Sequence, residues 1–172
     1  MIRKGNTWHY FFYSYDADSV MHIGTATATD PLNGPLQIDP EPVISPDGAW
    51  NAKGCFYAKV TEWKDRYIMF YDGKSENGVE NVGMAISSDL LSWKNVSYNP
   101  VVEQHEGWRS ATFTSEPVYV EIKGDSIFLM VQGAKAFKDG LWERHLSGNA
   151  YTQVPGNVDD AQYGVFLSVD AG

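Results

Sequence analysis

Apolar and aromatic residues recur along the chain in short runs of period two, and polar residues separate one run from the next. Three segments share one layout: residues 2–14, 60–72 and 120–132, whose first residues are 58 and 60 positions apart. Each contains the end of one apolar run, a polar turn built from Lys, Gly, Asn or Asp, and a second apolar run. This layout predicts three β-hairpins.

A further apolar run follows each predicted hairpin and carries a glycine and an aspartate in register. Glycine weakens a strand interior, so its recurrence predicts a place where another backbone approaches closely. The aspartate ends the run, where a carboxylate can accept bonds from nearby backbone amides, so we expect a turn residue. The residues in register are Gly24, Gly83 and Gly164, and then Asp30, Asp89 and Asp170.

Four short antiparallel strands in each repeat describe one blade of a β-propeller. The first two copies share a third element, residues 42–44 and 100–102. We therefore predict an all-β fold of four-stranded antiparallel blades, a single partial propeller domain over residues 1–172. Blade 1 is expected at about 1–48, blade 2 at about 49–107 and blade 3 at about 108–172, with Tyr13 and Tyr71 in the blade core. A β-sandwich with coincidental similarity is the alternative.

The third predicted blade differs from the others by a polar, irregular insertion over residues 134–162. Loop extensions of this kind are common at binding sites, so a lid is expected. The first inner strand and the last outer strand are expected to be cut short, which predicts a piece of a longer protein. Two copies that complete one ring are the alternative. Open blade edges favour self-association.

Composition excludes several classes of function. The net charge is −9 and no basic run occurs, which argues against nucleic acid as a partner. No apolar run approaches the roughly 20 residues of a membrane-spanning helix. We expect no metal and no cofactor, because no His, Cys and carboxylate cluster has ligand spacing and no glycine-rich phosphate loop is present. The start has no signal-peptide pattern, so localisation is undetermined, and a secreted or periplasmic protein with a longer N-terminus fits equally.

The second repeat carries the most specific motif. An aromatic strand ends at Phe70-Tyr71, residues 82–93 follow the pattern hydrophobic-Gly-x-Ala-x-Ser-x-Asp-Leu-x-x-Trp, and Asn-Pro-Val follows at 99–101. This motif resembles the five-bladed β-propeller glycoside hydrolases of families 32, 43 and 68 and their furanosidase-type relatives. The resemblance implies a partial five-bladed propeller that acts on oligosaccharides or polysaccharides. It implies a mechanism with two carboxyl groups, one protonated acid and one ionised base or nucleophile.

In that superfamily the acids lie at the starts of inner strands, and the resemblance places one at Glu116. Glu116 precedes Pro117 at the start of the third inner strand and is the candidate general acid. A surface glutamate before a proline is the alternative. The aligned residue of the second blade is Phe56, which departs from the three-acid pattern. The base or nucleophile is expected upstream of residue 1, so we expect the 172-residue piece alone to be inactive.

Side chains just before the inner strands are the candidate substrate-binding residues: Trp50, Asn51, Trp108 and Arg109. The tryptophans are expected to stack on sugar rings, and Arg109 to hold a hydroxyl or a carboxylate. Packing of the tryptophans between blades is the alternative.

Two other functions remain open. A non-catalytic carbohydrate-binding or interaction propeller is favoured by Phe56, where an acid is missing. A six-bladed sialidase-type propeller is favoured by the Asp-box-like Ser87-x-Asp89 pattern, but it needs three arginines on the substrate, and only Arg109 and Arg144 have suitable places.

Overall fold

The computed structural model describes residues 1–103, 116–123, 126–133, 146–147, 150–151 and 162–168. These residues form thirteen β-strands and one short 3-10 helix, Ala49–Asn51. The strands are β1 (Ile2–Lys4), β2 (Thr7–Tyr15), β3 (Met21–Ala28), β4 (Gln37–Ile38), β5 (Gly54–Trp63), β6 (Arg66–Lys74), β7 (Glu80–Ser87), β8 (Lys94–Asn95), β9 (Glu116–Lys123), β10 (Ser126–Gly133), β11 (Leu146–Ser147), β12 (Ala150–Tyr151) and β13 (Gln162–Ser168).

The strands form successive antiparallel units, as predicted for propeller blades. Blade 1 has the order β1-β2-β3-β4, blade 2 has β5-β6-β7-β8, and the described part of blade 3 has β9-β10-β13. One parallel residue pair, Met21 with Gly54, connects the first two units. The all-β propeller prediction is therefore confirmed, while the residue limits proposed for each blade stay predictions.

Turn geometry sets the repeat between the first two hairpins at 59 residues, so the predicted offset of 58 is wrong. The turns start after Lys4 and after Trp63, which pair with Thr7 and Arg66. Left-handed backbone recurs at the same spacing, at Gly5 with φ of 59° and at Lys64 with φ of 57°. The third hairpin follows the second by 60, since Lys123 pairs with Ser126, as predicted.

With the offset of 59, Tyr13 of blade 1 aligns with Asp72 of blade 2, and Phe12 aligns with Tyr71. A slip of one residue sends every side chain of a strand to the other face. Tyr71 is fully buried, which confirms its predicted core position, whereas Tyr13 is 40% exposed and its predicted core position is wrong.

Aromatic rings, not another backbone, lie over two of the repeated glycines, Gly24 and Gly83, whereas Gly164 pairs with Val131. Gly24 pairs with Phe12 and Gly83 pairs with Tyr71 on the neighbouring strand. A Cβ atom at Gly24 would lie 2.8 Å from Phe12 Cζ, and one at Gly83 would lie 2.6 Å from Tyr71 Cζ. The predicted close approach is correct, but the prediction of a backbone as the approaching group is wrong.

Blade 2 lies between two apolar clusters. The cluster shared with blade 1 contains Ile23, Ile44, Cys55, Met69, Tyr71 and Ala85. The cluster shared with blade 3 contains Trp63, Ile68, Phe70, Val82, Met84, Val102, Ile127, Leu129 and Val131. The motif residue Trp93 also faces blade 1, where its ring meets Phe11 edge to face at 5.6 Å.

The third repeated element, residues 42–44 and 100–102, pairs with the third strand of its blade in the same way in blades 1 and 2. Ile23 N–H donates to Ile44 O at 2.9 Å, and Val82 N–H donates to Val102 O at 2.8 Å. The polar insertion lies between β10 and β13 and contains the β11–β12 hairpin. Its predicted role as a lid stays a prediction. In the part of the chain that the structure describes, no helix has the length and apolarity to cross a membrane.

The aspartates predicted as turn residues make equivalent bonds where they are described. Asp30 Oδ1 accepts from the amides of Leu32 and Asn33. Asp89 Oδ1 accepts from those of Leu91 at 2.9 Å and Ser92 at 2.8 Å. Asp170 lies outside the described residues. These amide bonds hold the pKa of the Asp89 carboxyl below its usual value of 3.8.

Replacement of Asp89 should therefore make the free energy of unfolding less dependent on pH in the acid range. A lowered pKa in the folded state means that the carboxylate stabilises the fold above its usual pKa and that this contribution is lost as the pH falls through the folded value. We expect Asp89→Ala to lower the free energy of unfolding by only about 1 kcal/mol at pH 7, because the site is half-buried and solvent screens the carboxylate. The difference from wild type should shrink towards pH 3 in urea denaturation.

The matched control is Asp65→Ala, at an exposed hairpin-turn carboxylate 3.6 Å from Arg66. It should change the unfolding free energy by less than about 0.5 kcal/mol. An equal effect of both substitutions at every pH contradicts the assignment of Asp89 as the repeated turn anchor.

Candidate active site

The inner strands β5 and β9 begin at the same end of the blades, which we call the funnel end. Each has a bulge soon after its start. In β5 the bulge lies between Phe56 and Lys59, and in β9 it lies between Pro117 and Tyr119. Tyr57 in the first bulge has left-handed backbone, with φ of 51°. Such a conformation is strained for a side chain other than glycine, and bulges redirect side chains next to active sites.

Glu116 is the first residue of β9 and pairs with Gln132. Phe56 pairs with Asp72, which precedes Gln132 by the same 60 residues that separate Phe56 from Glu116, so the two inner-strand positions are equivalent, as the sequence suggested. The Glu116 side chain lies outside the described part, and its role as an acid stays a prediction. Phe56 is buried, and its ring meets those of Tyr13 at 6.1 Å and Tyr57 at 5.1 Å.

Trp50 lies on the face of blade 2 that packs against blade 1. Its ring is half-buried and lies 5.9 Å from that of Tyr71. Gly73 and Gly83 leave the space that the indole occupies: a Cβ at Gly73 would lie 2.1 Å from Trp50 Cζ3. This is packing within a blade. Sugar stacking by Trp50 stays a prediction.

Asn51 is fully buried and ties together the loop that leads into β5. Its Oδ1 accepts from the amides of Asp47 and Gly48 at 3.1 and 3.0 Å. Its Nδ2 donates to Asp47 Oδ1 at 3.0 Å and approaches Cys55 Sγ at 3.5 Å. Both polar atoms of the amide are thus engaged by the protein. Contact with a sugar requires this loop to open, and the substrate-binding role of Asn51 stays a prediction.

The network continues from this loop to the outer strand of blade 2. Asp47 Oδ2 accepts from Asn95 Nδ2 at 2.6 Å, and Tyr71 Oη donates to Asn95 Oδ1 at 2.9 Å. Burial raises the pKa of the Cys55 thiol to about 12, so Cys55 is a neutral packing residue. Burial also raises the pKa of the Tyr71 hydroxyl.

The other two candidate binding residues, Trp108 and Arg109, lie outside the described residues, and their roles stay predictions. Among the residues that the structure describes, no group of three or more His, Cys, Asp and Glu side chains could hold a metal ion.

Sequence reasoning missed two features at the funnel end. The first is an exposed aromatic cluster between blades 1 and 2, where Tyr13 meets Tyr15 at 6.4 Å and Tyr57 at 5.5 Å. The second is Asp72, a fully buried carboxylic acid on the same face of β6 as Phe70, which packs towards blade 3. A repeat offset of 59 would have found both, because it aligns Tyr13 with Asp72 instead of with the core residue Tyr71.

Comparison with known families decides between the superfamilies that this geometry allows. A family model described as β-1,4-mannooligosaccharide phosphorylase, glycoside hydrolase family 130, matches residues 6–142. The chain belongs to glycoside hydrolase family 130. Family 130 is a relative of the families whose motif the sequence resembles, so the predicted superfamily of five-bladed propeller glycoside hydrolases is confirmed. A comparison with curated proteins gives no match.

Solved propeller structures confirm the fold at low identity. A thermostable family-43 glycoside hydrolase matches with a TM-score of 0.66 and 14% identity, over 99% of this chain and 49% of that chain. Fructan 1-exohydrolase IIa from Cichorium intybus matches with a TM-score of 0.61 and 18% identity, over 76% of this chain and 26% of that chain. A third structure matches with a TM-score of 0.58 and 12% identity, over 76% of this chain and 42% of that chain. Its description states that the family 130 mannoside phosphorylases contain glycoside hydrolases that target β-1,2 mannosidic linkages in Candida mannan. This family 130 chain spans about half the length of the first matching structures, which it covers to 48%.

The packing of Trp50 on Gly73 can be measured by a double-mutant cycle. We expect Gly73→Ala to lower the free energy of unfolding by about 1–3 kcal/mol, because the nearest atoms to the new Cβ all belong to the indole. In a Trp50→Ala background the same substitution should cost less than about 0.5 kcal/mol, since the obstructing ring is gone. Equal costs in both backgrounds, measured by urea denaturation, contradict this packing.

Proposed function

We propose that this family 130 chain forms part of a propeller that cleaves a β-mannosidic bond in a mannooligosaccharide. The single observation that carries the proposal is the family match over residues 6–142, which includes the inner strands β5 and β9. The equivalence of Glu116 and Phe56 supports one acid at the funnel end of blade 3 and an aromatic residue at that of blade 2.

The proposed chemistry needs a proton donor on the leaving oxygen. Glu116 gives its proton to the glycosidic oxygen as the bond from that oxygen to the anomeric carbon breaks, and an acceptor oxygen forms the new bond to that carbon. Asp72 is the second carboxyl candidate, because it is buried at the same end of blade 2 and faces blade 3.

The acceptor separates the two activities that family 130 and its solved neighbours suggest. With phosphate as the acceptor the products are mannose 1-phosphate and a shortened oligosaccharide, and with water they are mannose and the same shortened chain. The description of the family model favours phosphate. Hydrolysis is the second candidate, supported by the description of the family 130 neighbour and by the net charge of −9, which disfavours an anionic co-substrate.

Substitution of Glu116 tests the mechanism in the longest natural protein that contains these 172 residues. We expect Glu116→Gln to lower turnover of β-1,4-mannobiose by about 10²- to 10⁴-fold, because amides cannot donate the required proton. Activity on 4-nitrophenyl β-mannoside should fall much less, because that leaving group needs no proton. Phosphorus NMR of mannose 1-phosphate and detection of free mannose, with and without inorganic phosphate, identify the acceptor.

Glu121→Gln on the same strand is the control and should leave turnover within about twofold of wild type. Full activity of Glu116→Gln on mannobiose refutes the acid role. Saccharide binding without cleavage by the wild-type protein, in either buffer, refutes catalysis and supports the non-catalytic carbohydrate-binding propeller that Phe56 favours.

A further inference from the structure

A histidine, His9, is buried in the contact between blades 1 and 2, near the end of the blades opposite the funnel. It lies on the same face of β2 as Phe11, because side chains two residues apart point to the same side of a strand. Phe11 meets Trp93 of blade 2, so this face of β2 is turned towards blade 2. His9 is only 5% exposed there.

The hydrogen bonding of this ring is incomplete. Nδ1 of His9 is buried and has no hydrogen-bond partner among the described residues. A neutral imidazole keeps one nitrogen as a bare acceptor, whereas a protonated imidazole has two N–H donors that both need a partner. A buried donor without an acceptor loses the hydrogen bond that it makes in water. The closed interface therefore disfavours the protonated form of His9.

A lysine bridges the two blades at the same end. Lys4 ends β1 of blade 1, and its ammonium group donates to Ser88 O of blade 2 at 3.1 Å. The same ammonium group lies 5.2 Å from the centre of the Tyr67 ring. Tyr67 is neutral, because desolvation by burial and the carboxylate of Glu62 raise the pKa of its hydroxyl above the usual value. The positive charge of Lys4 is thus held at this end of the interface.

These surroundings keep His9 neutral. Burial is the largest cause that lowers the pKa of His9 below 6.5, and the Lys4 ammonium lowers it further. The Asp89 carboxylate, in the turn after β7, acts in the opposite direction. A histidine released from the interface returns to an ordinary pKa of about 6.5. The closed interface therefore binds fewer protons than the open one, so its stability is fully present above pH 6.5 and is lost as the pH falls towards the lowered pKa.

We propose that the contact between blades 1 and 2 is an acid-sensitive interface, which protonation of His9 loosens at the end opposite the funnel. Both sides of this contact lie within residues 1–103, which the structure describes without a gap. β2 continues on the same face to the funnel end, where Tyr13 meets Tyr57 of blade 2 at 5.5 Å. The strand that carries His9 therefore also holds the two funnel ends together. The inference does not depend on the proposed catalysis.

The test is amide hydrogen exchange, followed by mass spectrometry, in the longest natural protein that contains these 172 residues. Peptides from β2 and from residues 84–90 report on the two sides of the interface. After correction for the intrinsic rate, we expect exchange in both wild-type peptides to rise about three- to eightfold from pH 7 to pH 5.5, because the open state binds one more proton. His9→Gln should remove this rise, because glutamine does not titrate in this range.

The matched control is His22→Gln. The ring of His22 bonds to Ser45 Oγ and Asp16 Oδ2 within blade 1, at 2.9 and 3.0 Å, and takes no part in the contact with Lys4 and blade 2. This variant should keep the wild-type rise in exchange.

Two charge variants test the electrostatic part independently of the exchange rates. Lys4→Met should raise the pKa of His9, because it removes the ammonium group, and Asp89→Ala should lower it, because it removes the carboxylate. Both shifts are measured by NMR of isotope-labelled histidine rings. A lysine that only packs at this turn would not move the pKa.

Two results overturn the inference. The first is a rise in exchange at pH 5.5 that is equal in the wild type and in His9→Gln. The second is a His9 ring that titrates at or above pH 6.5 in the folded wild-type protein. If His9→Gln does not fold, the charge variants decide, and a His9 pKa that neither Lys4→Met nor Asp89→Ala changes then overturns the inference.

Discussion

Alternation of side chains along β6 is the constraint on which the rest of this structure depends. Met69 and Tyr71 enter the cluster shared with blade 1, while Ile68 and Phe70 enter the cluster shared with blade 3, and all four are buried. A strand buried on both faces tolerates no slip in register, because a shift of one residue exchanges the two sets. The order of the blades is therefore encoded in one strand whose two faces carry different apolar surfaces.

Close packing of rings on glycines follows from this arrangement. Large aromatic side chains on the second strand of a blade need space over the third strand, and Gly24 and Gly83 provide it directly opposite Phe12 and Tyr71. In blade 2 a second ring, Trp50, uses the space above Gly73 as well. The short loop that carries Trp50 is fixed through Asn51 and Asp47, so its packing also fixes where the inner strand β5 begins.

The repeated elements were predictable because they depend on local chemistry. Hairpin turns, the strand glycines and the Asp30 and Asp89 turns recur at near-constant spacing, and each has a short-range physical cause. The aromatic residues alone give the wrong register, since the Phe-Tyr pair at 70–71 matches Phe12-Tyr13 better than it matches Phe11-Phe12, whereas the repeated glycines and aspartates carry the correct offset of 59. The left-handed backbone at Gly5 and Lys64 marks equivalent positions in the two turns. The sequence does not show that Lys64 adopts this conformation, because left-handed backbone normally favours glycine.

The wrong offset of 58 residues also explains why Asp72 and the aromatic cluster around Tyr13 were missed. The site of a propeller is formed where the repeat is broken, and a break is visible only against the correct alignment. At the 59-residue offset, Tyr13 aligns with Asp72 and Ser14 aligns with Gly73. The two blades therefore differ at the funnel end in two ways: blade 2 has a buried acid, and the space above Gly73 is filled by Trp50. Both differences lie on faces that the repeat otherwise uses for packing. Family 130 membership adds what geometry alone does not contain, the chemical class of ligand that such breaks in symmetry would serve.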